Sequence, residues 1–240
     1  MSLRIRQVLL LIGPVVRIVP WIPVAAATTV SVLALLPAMA DASAPASQIW
    51  ALRIAAVLLG AAASFAMVDP MAPLSVTPTP RWLRQWLRVA VALLPAATVW
   101  VSLYAVAAST LAQGRLPFGD LAVEAAGCAL AGVVGAAVAA RRGHSMTTAV
   151  GGPATQGGLM VATMFLPSKY SAWPMPETAQ WERAHDWWWM ALPVLVVGLG
   201  LANRDLWPWR LRGTPGGGQR RRPPASRERL KAPTPSDIST

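Results

Sequence analysis

The sequence has few charged residues: they make up only 13% of its 240 residues, against about a quarter in soluble domains. It has a single cysteine, Cys128, which excludes an intrachain disulfide framework and a CxxC metal site. Two histidines and ten acids leave little material for a metal or acid–base centre. Motifs for nucleotide binding, zinc proteolysis and serine hydrolysis do not occur. The sequence therefore predicts neither an enzyme nor a bound metal or cofactor.

The apolar residues, 55% of the chain, are gathered in long blocks. Crossing about 30 Å of hydrocarbon takes ~20 apolar residues in a helix. Six blocks approach this length, and they cover 18–40, 49–68, 89–114, 121–140, 145–168 and 187–203. We therefore predict an all-α, polytopic membrane protein with six transmembrane helices in a domain over 1–209.

The basic residues predict the orientation of these helices, because cytoplasmic loops are enriched in Lys and Arg. The net charge is +11, and all basic residues except Lys169 and Lys231 are arginines. With the N-terminus in the cytoplasm, 17 of the 21 basic residues lie inside and four outside. Because they fall between apolar blocks rather than on one folded face, they do not indicate nucleic-acid binding. We predict both termini in the cytoplasm, with a disordered basic tail over 210–240.

The fifth block contains five helix-breaking residues, Gly151, Gly152, Pro153, Gly157 and Gly158. Such residues are tolerated in a membrane when neighbouring helices satisfy the backbone. The alternative is that this region is a cytosolic loop, which would place the basic tail outside.

A short amphipathic segment joins the second and third blocks. At 100° per residue, its two faces are Arg81, Arg84, Gln85 and Arg88 on one side, and Trp82, Leu83, Trp86 and Leu87 on the other. We predict a short interfacial helix that lies on the cytosolic surface before the chain turns into the third span. It is either a plain positive-inside anchor or a docking element for a cytosolic partner.

Ionisable residues are rare in the predicted spans, and Glu124 is the clearest case. It lies one turn from the outer end of the fourth span, as either a snorkelling boundary residue or part of a path. The external loop before the sixth span carries further polar and aromatic residues, among them Trp181, His185 and Asp186. This loop is either an ordinary connection or a lid.

Three sequence features together resemble the membrane subunits of type-2 ABC exporters, especially the small permeases of high-GC Gram-positive bacteria. They are the Asp69-Pro70 turn followed by Thr77-Pro78-Thr79-Pro80-Arg81, the Trp187-Trp188-Trp189 start of the last span, and Asn203-Arg204-Asp205 at its end. The resemblance covers about residues 1–210 and rests mainly on the order of the elements.

The resemblance implies a multi-pass permease in the cell membrane that binds no nucleotide itself. Two permease subunits and two separate cytosolic ATPase subunits would form one transporter of amphipathic cargo, such as a peptide antibiotic, a lipid or a drug. Residues implied in coupling to the ATPase are Asp69, Pro70, Arg81, Trp82, Arg84, Trp86 and Arg88. Residues implied in the path or outer gate are Glu124, Gln156, Trp181, His185 and Asp186.

Two other functions remain open from the sequence. One is a membrane assembly factor or immunity protein that acts by binding another membrane protein. The other is an integral-membrane enzyme acting on a lipid head group, for which Glu124 and His185 would supply the acid–base chemistry.

Overall fold

The computed structural model describes residues 12–40, 45–68, 81–111, 116–142 and 149–204. Within these ranges the regular structure is entirely helical, which confirms the all-α prediction. Asp69, Pro70 and the predicted basic tail over 210–240 lie outside the described residues.

A short helical segment over 12–18 precedes six longer helices. We number the six α1 (Trp21–Ala40), α2 (Pro45–Ser64), α3 (Arg81–Thr110), α4 (Phe118–Arg142), α5 (Gly151–Met164) and α6 (Trp181–Asn203). A 3₁₀ turn over Phe65–Met67 extends α2, and a second over Ser168–Tyr170 lies between α5 and α6.

Four of these helices are long and apolar enough to cross a membrane: α1, α2 with its 3₁₀ extension, α3 and α4. The transmembrane character predicted for the first four blocks is thereby confirmed at the level of length and composition. α6 has 23 residues, but its tryptophans and Asp186 lower the mean hydropathy of its first half.

The fifth block forms a shorter helix than the predicted span. α5 has 14 residues, or about 21 Å at 1.5 Å per residue, against about 30 Å of hydrocarbon. Its glycine-rich start is nevertheless helical, so this part of the block is not a loop. The helix ends at Met164, three residues before Pro167, which cannot donate a helical hydrogen bond.

Helices α2 and α4 form the centre of the bundle. They pack against each other, with α1 and α3 on the outer side of α2, and α5 and α6 on the outer side of α4. Small residues allow the close central crossing: a Cβ atom on Gly60 would lie 2.8 Å from the Cα of Ala129. A Cβ on Gly132 would lie 3.0 Å from the carbonyl oxygen of Gly60. The small residues at this crossing therefore serve packing within the chain.

The predicted separate interfacial helix over 81–88 is wrong in one respect, because these residues are the first turns of α3. No glycine or proline separates Arg88 from the apolar residues after it, so the helix continues without a turn. Gln85 and Arg88, which we expected on a solvated face, are buried, whereas Trp82 and Trp86 are exposed. Arg88 is held inward because its Nη1 donates to the carbonyl oxygen of Val68, 2.6 Å away.

Candidate functional site

A buried ion pair joins the two central helices at one end of the bundle. Arg53 of α2 and Glu124 of α4 are 2% and 1% exposed. The pair is bidentate: Arg53 Nε donates to Glu124 Oε2, and Arg53 Nη2 donates to Glu124 Oε1, both at 2.7 Å. A planar guanidinium matches a carboxylate in this geometry, which makes the pair directional as well as attractive.

His185 of α6 completes the cluster. Its Nε2 lies 3.1 Å from Glu124 Oε1, and its Nδ1 lies 2.8 Å from the carbonyl oxygen of Trp181. Both ring nitrogens thus lie near oxygen atoms, although Nε2 and Glu124 Oε1 are not aligned for a hydrogen bond. Asp120, whose carboxylate accepts a hydrogen bond from Trp181 Nε1 at 2.8 Å, supplies a second negative charge nearby. We call Arg53, Glu124 and His185 the Arg53 cluster.

The remaining donors of Arg53 bind the segment between α5 and α6. Nη1 donates to the carbonyl oxygen of Trp173 at 3.2 Å, and Nη2 to that of Pro174 at 2.8 Å. The rings of Trp50, Trp173 and Trp181 lie 5.4–5.9 Å from the guanidinium carbon, within the range of cation–π attraction. The cluster therefore ties residues 165–180 to both central helices.

Two tryptophans hold the same segment from its other side. Trp188 Nε1 donates to the carbonyl oxygen of Ala172 at 3.1 Å, and Trp173 Nε1 donates to the hydroxyl of Thr163 at 2.9 Å. The rings of Trp173 and Trp188 are 5.3 Å apart. Residues 165–180 are thus held against the bundle by hydrogen bonds from both sides, and we call them the cover.

The burial of the cluster limits its chemistry. All three residues are at most 4% exposed, and the donors of Arg53 already have acceptors. A snorkelling role for Glu124 is therefore wrong, because its carboxylate points into the bundle. The arrangement is suited to holding helices and cover together, and a change of its partners would release both.

Of the other residues predicted for the path or gate, Trp181 is one of the three tryptophans whose rings lie beside the guanidinium of Arg53. Gln156 lies deeper, on α5, where its Nε2 donates to the carbonyl oxygen of Cys128, one turn along α4 from Glu124. Gln156 is 3% exposed, beside the glycines of the α2–α4 crossing. Asp186 is exposed and lies apart from the cluster.

The residues predicted to couple to a partner form a different surface, at the first turns of α3. Trp82 and Trp86 are 46% and 37% exposed. They line an open cavity of about 390 Å³ together with residues from the end of α6, including Asn203 and Arg204. Arg141 of α4 fixes that end of α6 by donating to the carbonyl oxygens of Leu201, Ala202 and Arg204. Arg84 is partly buried here, and the side chain of Arg81 lies outside the described residues.

Sequence reasoning missed the roles of Arg53 and Trp173. The charge count for the membrane orientation treats Arg53 only as one of the four basic residues on the outer side. It nevertheless lies inside an apolar block, near the same predicted membrane face as Glu124. Charges in membrane spans usually pair with one another. That rule applied to Arg53 and Glu124 would have found the ion pair, whereas no sequence signal identifies the backbone carbonyls of Trp173 and Pro174 as acceptors.

Among the residues that the structure describes, no group of three or more His, Cys, Asp or Glu side chains is placed to hold a metal ion. Comparisons with protein-family models, curated proteins and solved structures found no match. What the chain's own geometry defines is a helical protein with four helices fit to span a membrane.

Proposed function

We propose that the chain is the transmembrane permease subunit of an ATP-driven exporter in the cell membrane. In this proposal α5 and α6 join the four apolar helices in a bundle of six membrane segments, with both chain ends in the cytoplasm. ATP binding and hydrolysis belong to a separate cytosolic subunit, and the permease itself carries out no catalysis. A second permease subunit completes the translocation path.

The observation that carries the proposal is the continuity of α3. It runs for 30 residues, about 45 Å, from the exposed tryptophans Trp82 and Trp86 to Thr110. A helix of that length exceeds the hydrocarbon thickness, so its first turns reach beyond the apolar region. The helix continues through Pro95, which lacks the N–H for one backbone hydrogen bond. A partner that pushes on those turns would displace a continuous helix, and the movement would pass through its contacts to the rest of the bundle.

Contacts along α3 would pass such a movement to α2. Arg88 holds the carbonyl oxygen of Val68 at one end. Trp100 Nε1 donates to the carbonyl oxygen of Leu52 at 3.1 Å, directly beside Arg53 in the chain. Near the far end, Gln48 Nε2 lies 3.3 Å from the hydroxyl of Thr110. The helix that meets the partner is thus bonded to the helix that carries Arg53.

The Arg53 cluster is the natural outer gate of this mechanism. It closes residues 165–180 over the bundle, and its partners come from α2, α4 and α6. A shift of α2 against α4 would break the bidentate geometry and free the cover. ATP-driven closure of the partner would then bias a two-state equilibrium between closed and open outer ends. The proposed cargo is amphipathic.

The test is recruitment of an ATPase. The full-length chain is co-expressed with ATPase subunits encoded beside its gene, and the complex is purified in mild detergent. We expect the ATPase to co-purify with the native chain and to be lost from Trp82→Glu/Trp86→Glu. A matched control, Trp21→Glu/Trp189→Glu, changes two exposed tryptophans elsewhere and should retain the partner.

A stable chain that never recruits an ATPase would contradict the proposal, as would equal recruitment by the Trp82→Glu/Trp86→Glu variant. Those results would favour an assembly factor or immunity protein, whose activity does not depend on this surface.

A further inference from the structure

A second open cavity lies beside the Arg53 cluster, between residues 163–172 and one face of α6, with a volume of about 450 Å³. The α6 residues that line it are Arg183, Ala184, Trp187, Trp188 and Ala191. Their spacing of three and four residues puts them on one helix face. The opposite wall is held in place because Trp188 bonds the carbonyl oxygen of Ala172. Contacts within the chain therefore fix both walls of the cavity.

The charge of this cavity has one sign. Lys169 and Arg183 both line it, and none of the described lining residues is an acid. Both side chains are exposed, so they remain hydrated and free to turn toward a ligand. Lys169 lies 4.9 Å from the ring of Tyr170, whose hydroxyl adds a neutral donor. Two cations beside a hydroxyl and the Gln180 amide suit a phosphate group.

The rest of the lining is apolar, and it leads onto the outer surface of the bundle. Leu166, Ala184 and Ala191 form part of the floor. Below the cavity, α6 carries exposed apolar side chains at helical spacing: Trp187, Met190, Val194, Val197 and Leu201. This stripe covers 15 residues, or roughly 21 Å, which exceeds half the hydrocarbon thickness. A ligand with a phosphate head and a long apolar tail would match both parts.

We propose that this cavity binds the phosphate head group of an anionic phospholipid. The phosphodiester lies between Lys169 and Arg183, and an acyl chain lies along the apolar stripe of α6. Tryptophans at the head-group level are typical of this boundary, and Trp187 is 64% exposed beside the cavity. The proposal rests on the membrane position of α6 in the proposed function, but not on the exporter activity.

The experiment uses the full-length chain reconstituted into phosphatidylcholine vesicles. Bromine-labelled phosphatidylglycerol or bromine-labelled phosphatidylcholine is included at equal fractions, and quenching of tryptophan fluorescence reports which lipid is bound. We expect phosphatidylglycerol to be preferred. The double variant Lys169→Gln/Arg183→Gln should lose about five-fold of that preference per cation, the factor that corresponds to roughly 1 kcal/mol per basic residue near a membrane surface.

The control variant Arg17→Gln/Arg204→Gln removes two exposed arginines outside the cavity and should keep the preference. Lys169→Glu changes one exposed side chain only, and it should lower the preference even if the double variant fails to fold. Equal quenching by both lipids in the native chain would overturn the proposal, as would a preference that survives in Lys169→Glu. Relief of the quenching by inorganic phosphate would also overturn it, because the site would then take the free anion.

Discussion

Arg53 binds two parts of the molecule with one side chain: it pairs with Glu124 and also donates to backbone carbonyls of the covering segment. Taking both charges out of water carries a large desolvation cost, which their mutual attraction offsets only in good geometry. Removal of one partner therefore costs more than the pair contributes, since it leaves the other charge buried and uncompensated.

Replacing Glu124 by glutamine tests this directly. Glu124→Gln keeps the size of the side chain but leaves Arg53 without its anionic partner and His185 without the neighbouring carboxylate. We expect a loss of stability on the order of 3 kcal/mol, measured as a lower midpoint of thermal unfolding in detergent. Glu182→Gln, an exposed acid on α6, is the control and should unfold like the native chain. Unchanged unfolding of Glu124→Gln would show that the ion pair does not hold the bundle.

A double substitution separates the attraction within the pair from the cost of its burial. Arg53→Met and Glu124→Leu should each destabilise the chain, whereas the combination should recover much of the loss because no unpaired charge remains. The covering segment would still lose its bonds to Arg53. We therefore expect faster proteolysis within 165–180 in the double variant even where its unfolding midpoint is restored. Strictly additive losses would contradict a coupled pair.

At the scale of the helices, the close crossing of α2 and α4 depends on Gly60. A Cβ atom there would meet the Ala129 backbone at 2.8 Å, which a rotamer change cannot relieve. Gly60→Ala should therefore destabilise the bundle by about 1–3 kcal/mol through overpacking. Gly158→Ala on α5 is the matched control, because no atom lies within 4 Å of the added methyl group. It should be neutral or slightly stabilising. Equal unfolding midpoints for the two variants would argue against a tight crossing.

How well the sequence predicts each helix depends on the property that determines where the helix begins and ends. Composition alone locates α1 to α4, because a membrane span is a matter of length and hydropathy. The continuity of α3 was missed, since the amphipathic start of a helix and a separate surface helix have the same periodicity. The length of α5 was also missed, because the apolar block continues to 168 whereas the helix ends at Met164, before Pro167. Its glycine-rich start is helical because it packs closely against α4. Gly152 and Gln156 are buried there.

The sequence predicts some residues of the candidate site. Glu124, Trp181 and His185 were named from the sequence as gate residues, and the structure brings them together. Arg53, which pairs with Glu124 and lies beside the ring of Trp181, could not be derived from spacing along the chain, because 71 residues separate it from Glu124. The backbone acceptors of the cover depend on tertiary folding alone.

For the whole molecule, the central claim of the proposed function is that both chain ends lie in the cytoplasm, which requires an even number of membrane crossings. The exposed tryptophans of α3 and the basic tail then share the cytoplasmic side, and the Arg53 cluster with its cover lies on the opposite side. An ATPase can act on α3 only in this orientation, so the proposed coupling requires it.

Cysteine labelling in intact cells is the most direct measurement of this claim. The only native cysteine, Cys128, is buried, so single cysteines placed elsewhere report their own accessibility. A membrane-impermeant maleimide should label Glu177→Cys, in the exposed part of the cover, without permeabilisation. It should label Ser226→Cys, in the basic tail, only after the cells are opened. Labelling of Ser226→Cys in intact cells, or protection of Glu177→Cys there, would contradict the orientation and the transport mechanism built on it.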